Sequence, residues 1–584
     1  MNNPFDVPLI DLEVKCNDLK TFVSQFESIR FLGEVSSLMQ FIRFKNPSPA
    51  LEGLSSPQRQ LFYLAALNIT SAPNSNLLPS FNNEQFNLIK NLLNEIEQGY
   101  MQLFYPTKKE DFSNDDWKQK VLVSMSSFLS FFNQGLMNYE EQIIQRIISY
   151  FTPFENSIIN EFGLSVQDFI DIYNHIDAIP NTFLSNNIHH KDTDISWEQF
   201  CEEMKQKNIP SSEWNKHLPE NHRNFSNFLS DKGQLQRIYK NDLVQKFGQS
   251  KADSFLTNFV IKRGESKYLY FTENNPLFLK PIFQIDENTF QAIDMQHIIQ
   301  AVYNSLATFC INDEKLREKF YSIRGDKLEL KVAEIFKRFF GKEAIVYHGY
   351  YTQDKHEQDL LIIFRKFAFI VEVKASKRNE PRREPKKAYP LILSNFNETI
   401  QKGYDQAYRV KGKFIAREII EIYSDEKLSN KIAEINTKRF HQHFSIIVTQ
   451  ERFGPIQTNL YDLLEKMEDD EYPWSICIDD LEVFFLQLER MKKTPFNLCQ
   501  FLNLRQQLHG HLIADDELGV CGGFLNQKIT FSKAESDEIL MLAPDMSEVF
   551  DKSYEEGIGF VNEKNLAIKK SGKYHFMGGF NGKR

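Results

Sequence analysis

Several features that define common protein classes are missing from this chain. It holds only six cysteines in 584 residues and none forms a CxxC pair, so neither a zinc ribbon nor a disulfide framework is expected. It contains no apolar run of about 20 residues, the length that crosses a bilayer. Its first segment, MNNPFDVPLIDLEVK, lacks the basic and apolar regions of a secretory signal. These absences predict a reduced, cytoplasmic protein without membrane association.

Familiar catalytic motifs and a basic surplus are missing as well. There is no GxxxxGKS/T loop, so no ATP motor is expected, and no HExxH, GxSxG or Rossmann glycine pattern appears. The 69 Lys and Arg residues against 79 Asp and Glu residues give a net charge of −10. Nucleic-acid binders often show the opposite balance. The local field at a groove decides binding, however, so the net charge does not exclude that class.

The composition, 41% hydrophobic and 25% charged, is that of a globular protein, and the length allows several domains. The patterning predicts a multidomain α+β protein with four regions. Residues 1–250 are predicted to be mostly helical, as a recognition or regulatory region, because Phe86, Ile89, Leu93 and Ile96 recur at helical spacing. The other regions are a small β element with a linking helix (251–314), an α/β core (315–430) and a mixed α/β C-terminal region (431–584).

Local patterns predict individual elements within these regions. The small β element is expected from the segments YLYFT and LFLKPIFQ, with a turn at 286–288 and a helix over 295–310. Residues 315–430 are expected to run helix, strand, strand, strand, helix. Beyond them, HFSIIVTQ (443–450) predicts a strand, and WSICIDDLEVFFLQL (474–488) predicts a strand that passes into a helix.

The segment QDLLIIFRKFAFIVEVKAS, residues 358–376, predicts a β-hairpin that carries acidic side chains. If Arg365 and Lys366 form the turn, opposed residues have numbers with a constant sum, and Asp359 faces Glu372. Opposed side chains of an antiparallel pair lie about 5 Å apart on one face. Two such carboxylates resist joint ionisation, and a divalent cation between them removes that cost. Oxygen ligands of this kind suit Mg²⁺ or Mn²⁺.

Two further side chains are expected at this site. The alternation of a strand puts Lys374 on the same face as Glu372, where its amine can act on a water or on a phosphoryl oxygen. In the preceding helical segment, DKLELKVAEIFKRFFG, Glu329 falls within the apolar sector and Glu334 falls opposite it. A carboxylate on a buried face needs a partner. Glu329 is therefore predicted to point toward Asp359 and Glu372, and Glu334 toward solvent.

These pieces together resemble the PD-(D/E)XK superfamily, the restriction-endonuclease-like nucleases, over residues 320–412. The resemblance implies an αβββα core in which Asp359 and Glu372 bind Mg²⁺ or Mn²⁺ and Lys374 assists hydrolysis of a phosphodiester. It also implies three supporting roles: metal-site support from Glu329, a carbonyl ligand from Val373, and a glutamine on the next helix. Gln406 is the preferred candidate for that glutamine, and Gln401 is the alternative. The sequence departs from the pattern at Gln358, where proline often precedes the aspartate.

A basic stretch, SKRNEPRREPKK, follows the hairpin directly. Its two prolines predict a loop, and the loop is expected either to follow a phosphate backbone without reading sequence or to be a solvated surface segment. The residues expected to contact nucleic acid are Lys377, Arg378, Arg382, Arg383, Lys386 and Lys387.

Two functions are compatible with this sequence. The first is a metal-dependent nuclease, with DNA preferred over RNA as substrate. By resemblance it would be a bacterial anti-phage defence or restriction-type effector, with a partner or trigger acting on the helical region and a homo-oligomer for double-strand cutting. The second is a catalytically inactive nuclease-fold scaffold that acts by binding protein or nucleic acid. Elsewhere, His509 and His511 are expected to pack or face solvent rather than bind metal, and the acidic run 515–517 is expected to be solvated.

Overall fold

The computed structural model describes residues 8–43, 49–72, 77–105, 116–133, 135, 137–187, 197–219, 223, 231–380, 385–530 and 539–563. The chain divides into two units. The first comprises described residues within Met1–Gln102 and Phe132–Asp313, and the second comprises those within Leu103–Phe131 and Glu314–Lys569. The protein is a mixed α/β protein with a helical N-terminal region, as the patterning predicts.

Helices dominate the first unit, and their apolar faces form its interior. The predicted face with Phe86, Ile89, Leu93 and Ile96 is buried, and Ser165 caps its helix through a hydrogen bond from the Asp168 backbone N–H. The helices are Leu12–Ser24, Ser28–Arg43, Pro57–Ile69, Asn83–Gln102, Glu140–Phe151, Glu155–Phe162, Val166–Asp177, Ile179–Asn187, Trp197–Gln206, Lys240–Phe247, Gln249–Phe259 and Met295–Asn312.

A four-stranded sheet completes the first unit. Its strands are β1 (Arg237–Tyr239), β2 (Val260–Ile261), β3 (Ile282–Gln284) and β4 (Thr289–Ala292), in the order β1-β4-β3-β2. The predicted turn at 286–288 joins β3 and β4, and the predicted helix follows as Met295–Asn312.

The segment YLYFT is not a strand, contrary to the prediction. The carboxylate of Glu273 accepts hydrogen bonds from the backbone N–H groups of Leu269 and Tyr270 at 2.9 and 3.0 Å. A side chain three or four residues away therefore takes the donors that a sheet ladder would use.

A seven-stranded mixed sheet forms the centre of the second unit. It runs in the order β11-β10-β7-β6-β5-β8-β9. The neighbouring pairs β7-β6, β6-β5, β5-β8 and β8-β9 are antiparallel. The pairs β11-β10 and β10-β7 are parallel. The strands are β5 (Ala344–Thr352), β6 (Glu357–Phe364), β7 (Phe367–Lys374), β8 (Ile419–Tyr423), β9 (Lys431–Asn436), β10 (Gln442–Thr449) and β11 (Trp474–Cys477).

Helices cover both faces of this sheet. The helix Glu314–Phe340, here the long core helix, packs Phe340 against Phe364 and Phe369 on one face. The helix Lys402–Ile415, here the second core helix, packs Ala407 against the other face, and a π-helical turn, Asn397–Gln401, precedes it. The remaining helices of this unit are Asp116–Asn133, which extends two residues into the first unit, Pro385–Phe396, Pro455–Thr458, Ile478–Arg490, Pro495–Gln507, Glu517–Leu525 and Glu548–Glu556.

The predicted order helix, strand, strand, strand, helix is observed in residues 315–430, but the sheet does not end there. Strands β9, β10 and β11 continue it beyond residue 430, so the predicted boundary falls inside one sheet. A separate pair, β12 (Leu512–Ile513) and β13 (Leu540–Met541), lies in the same unit. None of the helices within the described ranges combines the length and the apolar character that crossing a bilayer requires.

Candidate active site

The hairpin formed by β6 and β7 brings the predicted carboxylates together. Its register is the predicted one, with Phe364 opposite Phe367 and Leu360 opposite Val371. Arg365 in the turn has a φ of 54°, the left-handed conformation that a two-residue hairpin turn requires. Continuing the register by one pair sets Asp359 opposite Glu372.

Asp359, Glu372 and Lys374 form one polar cluster at this end of the hairpin. Lys374 Nζ donates to Glu372 Oε2 at 3.0 Å and lies 3.7 Å from Asp359 Oδ2. Asp359 Oδ2 also accepts the backbone N–H of Val373 at 2.6 Å. The strand geometry thus fixes both carboxylates, and the lysine joins them from the same face.

Glu372 is a fully buried carboxyl group, with 0% of its surface exposed. Within the described part of the chain, its Oε1 atom has no hydrogen-bond partner. Burial, reinforced by the negative charge of Asp359 and opposed by Lys374, raises the pKa of Glu372 to about 8. The fold therefore disfavours ionisation of Glu372, and a bound cation would stabilise the charged form.

Glu329 lies beside this cluster, as its place in the apolar sector predicts. It is half-buried on the long core helix, and burial together with the charge of Asp359 raises its pKa to about 7. Glu357 and Asp326 add to that effect, whereas Lys374 opposes it. Glu334, in contrast, is exposed, as expected for the opposite side of the helix.

The second core helix approaches the site closely at Gly403. A Cβ atom there would lie 3.4 Å from Lys374 Cε and 2.8 Å from Ile447 Cγ2, so only glycine allows this contact. Gln406 follows one turn later, and its buried Oε1 has no hydrogen-bond partner. Gln401 is occupied elsewhere, because it exchanges hydrogen bonds with the backbone of Glu465. Gln406 is therefore the better placed of the two candidate glutamines.

The predicted metal ligands can be tested against this arrangement. Among the described residues, no three His, Cys, Asp or Glu side chains form a group that could hold a metal ion. Mg²⁺, however, usually keeps several waters and binds through only one or two carboxylates. The partnerless Glu372 Oε1 beside Asp359 fits such a two-carboxylate site. The Val373 carbonyl accepts from Lys374 Nζ at 3.3 Å, so the ammonium contacts all three groups predicted as ligands.

The basic stretch after β7 is irregular at 376–380, as predicted, and helical from Pro385 onward. Lys377 and Lys387 are exposed, which suits a contact with phosphate. Lys387 and Lys386, however, lie in the first turn of the helix Pro385–Phe396 and not in a loop, because proline is compatible with a first helical turn. Arg382 and Arg383 fall outside the described residues, as does the side chain of Lys386.

The burial of Arg378 contradicts the prediction that this residue contacts nucleic acid. It is 6% exposed, and its guanidinium donates to Arg452 O, Ser127 O and Ser130 Oγ at 3.0 to 3.2 Å. Burial lowers its pKa to about 10. With its donors engaged in the interior, Arg378 anchors the chain that leaves β7.

Two buried polar residues near the site were not predicted from the sequence. Arg324 donates to Ala375 O at 2.6 Å, just beyond Lys374. Tyr350, on β5, is 1% exposed, and its hydroxyl has no hydrogen-bond partner. Negative charge from Glu372 and Asp359 adds to burial in raising the Tyr350 pKa, which shows that the phenol lies near both carboxylates.

The acidic run 515–517 is only partly solvated. Asp515 is exposed, but Glu517 is buried and accepts from Arg505 Nε at 2.7 Å and from Trp474 Nε1 at 2.8 Å. His509 is buried beside them and accepts the Leu460 backbone N–H, which is the packing role expected for it. This network is a structural one.

Comparisons with protein-family models, with curated proteins and with solved structures give no match to this chain. Its function is therefore inferred from the geometry of the site.

Proposed function

We propose that this protein is a Mg²⁺- or Mn²⁺-dependent nuclease with a restriction-endonuclease-like core, and that DNA is its preferred substrate. One observation carries the proposal. Asp359 and the fully buried Glu372 converge from adjacent strands beside Lys374, and a Glu372 oxygen has no hydrogen-bond partner among the described residues. A buried carboxylate left in this condition is costly unless a cation completes it. Such clusters mark sites of chemistry more often than sites of stability.

The acidic residues would hold the cation. Asp359 and Glu372 are the ligands, and half-buried Glu329 adds negative charge beside Asp359. When bound, a divalent cation makes its water more acidic and neutralises charge on a phosphate. The Val373 carbonyl is available as a further ligand once Lys374 withdraws its 3.3 Å hydrogen bond.

Lys374 would act on the phosphate. Its ammonium lies at the junction of the two carboxylates and the Val373 carbonyl, so its positive charge is fixed where a phosphoryl oxygen would enter. Hydrolysis adds one water across the phosphodiester. The water oxygen bonds to phosphorus, the bond from phosphorus to one sugar oxygen breaks, and the departing oxygen takes up a proton.

The test compares two substitutions that remove different parts of the site. Lys374→Ala is expected to lower DNA cleavage at least 100-fold while Mn²⁺ still binds, because the two carboxylates remain. Glu372→Gln is expected to abolish both cleavage and Mn²⁺ binding. Calorimetry measures Mn²⁺ binding. Cleavage is measured with single- and double-stranded DNA and RNA as substrates, in the presence of Mg²⁺ or Mn²⁺.

Glu334→Gln is the matched control, because Glu334 is an exposed carboxylate on the same helix as Glu329. It is expected to leave both measurements unchanged. A wild-type protein that binds Mn²⁺ but cleaves no substrate would favour the inactive scaffold. A wild-type protein that neither binds Mn²⁺ nor cleaves would refute the metal-dependent nuclease.

A further inference from the structure

Tyr350 is a buried phenol that the proposed chemistry does not yet use. Its side chain is 1% exposed, and none of the residues that the structure describes forms a hydrogen bond with its hydroxyl. Burying a hydroxyl without a hydrogen-bond partner is unfavourable. Phenylalanine would fill the same space without that cost, so the hydroxyl requires an explanation.

The backbone of β5 is shaped to point this side chain toward the proposed site. Tyr347 packs on the face of the sheet that carries Leu361, and regular alternation would put Tyr350 on the opposite face. Tyr350 instead packs with Leu361 and Ile370. Gly349, between the two tyrosines, has a φ of 57°, and this left-handed residue breaks the alternation.

Glu372 lies on the face to which Tyr350 has been turned. Ile370 and Glu372 are two residues apart on β7, so their side chains point to the same side of the sheet. Two buried and unpartnered polar atoms therefore lie on one face: the Tyr350 hydroxyl, which can donate, and Glu372 Oε1, which can accept.

Few other ionisable groups reach Glu372. Asp359 on β6 and Lys374 on β7 lie beside it, and Glu329 on the long core helix lies on the Asp359 side. The neighbouring strand β10 sets Ile447 opposite Glu372, and the second core helix brings Gly403 and Ala407 to this face. Lys374 already donates to Glu372 Oε2, which leaves Oε1 to the phenol.

We propose that Tyr350 is a positioning residue for Glu372: its hydroxyl, directly or through one water, donates to Oε1 and holds the carboxylate in the orientation in which it binds a cation. The inference rests on the proposed metal site and goes beyond it, because Tyr350 itself touches neither the cation nor the substrate. A hydrogen bond to a charged group contributes more than one between neutral groups. The left-handed backbone of Gly349 supports this role, because it turns Tyr350 to the face of the sheet that carries Glu372.

The experiment uses the full chain with Tyr350→Phe and, as the matched control, Tyr347→Phe. Tyr347 lies on the same strand, is partly buried on the same face, and its pKa is raised by burial alone. Mn²⁺ affinity is measured by calorimetry from about pH 5.5 to pH 9, a range that spans the Glu372 pKa of about 8. We expect Tyr350→Phe to bind Mn²⁺ about tenfold more weakly at neutral pH, and to shift the binding midpoint upward by about one pH unit. Tyr347→Phe should match wild type.

A second measurement needs no metal. Thermal stability of the metal-free protein is followed over the same pH range, and the loss of stability with rising pH should extend to higher pH in Tyr350→Phe only. If Tyr350→Phe superimposes on Tyr347→Phe in both measurements, the hydroxyl has no role toward Glu372 and the inference is overturned. If wild type binds no Mn²⁺ but the stability shift appears, the contact with Glu372 stands and the nuclease proposal falls.

Discussion

Lys377 and Arg378 are consecutive basic residues with opposite surroundings. Lys377 is exposed next to the candidate site, whereas Arg378 is buried and donates to Arg452 O and Ser127 O. Charge alone gives both residues the same expected role. Burial separates them, because an engaged guanidinium has no donors left for a phosphate.

Substituting each of the two should therefore change a different property. Lys377→Ala is expected to weaken DNA binding for all sequences and to reduce the slope of log affinity against log salt by about 1, with stability changed by less than about 0.5 kcal/mol. Arg378→Ala is expected to destabilise the protein by roughly 3 kcal/mol, because buried carbonyls lose their donor. Binding at several salt concentrations and chemical denaturation measure these effects. An Arg378 variant of normal stability with a reduced salt slope would contradict the assignment.

The residues of the candidate site were predictable to different degrees. Asp359 and Glu372 could be paired from the sequence because a two-residue turn fixes the register of a hairpin. Arg378 could not be placed, since its partner Ser127 precedes it by 251 residues. Tyr350 was missed for a local reason, because alternation assigns it to the wrong face unless the left-handed Gly349 is recognised.

At the level of elements, the packing of the second core helix against β7 and β10 depends on Gly403. A Cβ atom at this position would lie 2.8 Å from Ile447 Cγ2, closer than carbon atoms normally approach. The same Cβ would lie 3.4 Å from Lys374 Cε. A displaced helix would therefore move Lys374, and with it the fixed charge of the site.

Gly403→Ala should accordingly reduce activity more than stability. We expect at least a tenfold loss of cleavage, and a destabilisation of about 1–3 kcal/mol that the better helix propensity of alanine partly offsets. Gly412→Ala on the same helix is the control, because its Cβ would meet Tyr408 at an ordinary 3.5 Å. That variant should be stabilised by about 0.5–1 kcal/mol with unchanged activity. Equal activity of the two variants would show that the close approach does not matter to the site.

Element types were predicted well where a periodic pattern was long or a turn was explicit. The helix Met295–Asn312, the strand β10 and the strand-to-helix passage after Trp474 all occur as predicted. The segment YLYFT failed because the Glu273 side chain takes its backbone donors. A strand pattern predicts the capacity to pair, and tertiary neighbours decide whether a partner strand is available.

At the scale of the whole molecule, the buried carboxyl groups make stability depend on pH. The pKa of Glu372 is raised from 4.5 to about 8, so the folded protein binds this proton more tightly than the unfolded chain. Its favourable contribution is complete below pH 4.5 and is lost as the pH rises through about 8. Glu329 acts in the same direction, with its loss complete near pH 7.

The metal-free protein should therefore become less stable between about pH 5 and pH 8, by roughly 3 kcal/mol from Glu372. Glu372→Gln removes that ionisation, and it should be more stable than wild type at pH 8, although the proposed function expects it to lose cleavage. Thermal denaturation in a chelating buffer at both pH values measures the difference. At pH 8, Mg²⁺ should restore the stability of the wild-type protein and should not change that of Glu372→Gln. A flat stability profile for wild type would contradict the burial of a charged Glu372.

The division of the chain adds a consequence for how the protein is made. Residues Leu103–Phe131 belong to the second unit, but the ribosome synthesises Phe132–Asp313 of the first unit before the second unit resumes at Glu314. Domains generally fold as they are synthesised, so the first unit can fold before Arg378 has been made. The helix that contains Ser127 then still lacks its contact with Arg378. The acidic cluster then assembles late in translation, and an unfinished nascent chain would carry no cutting activity that could harm its own cell.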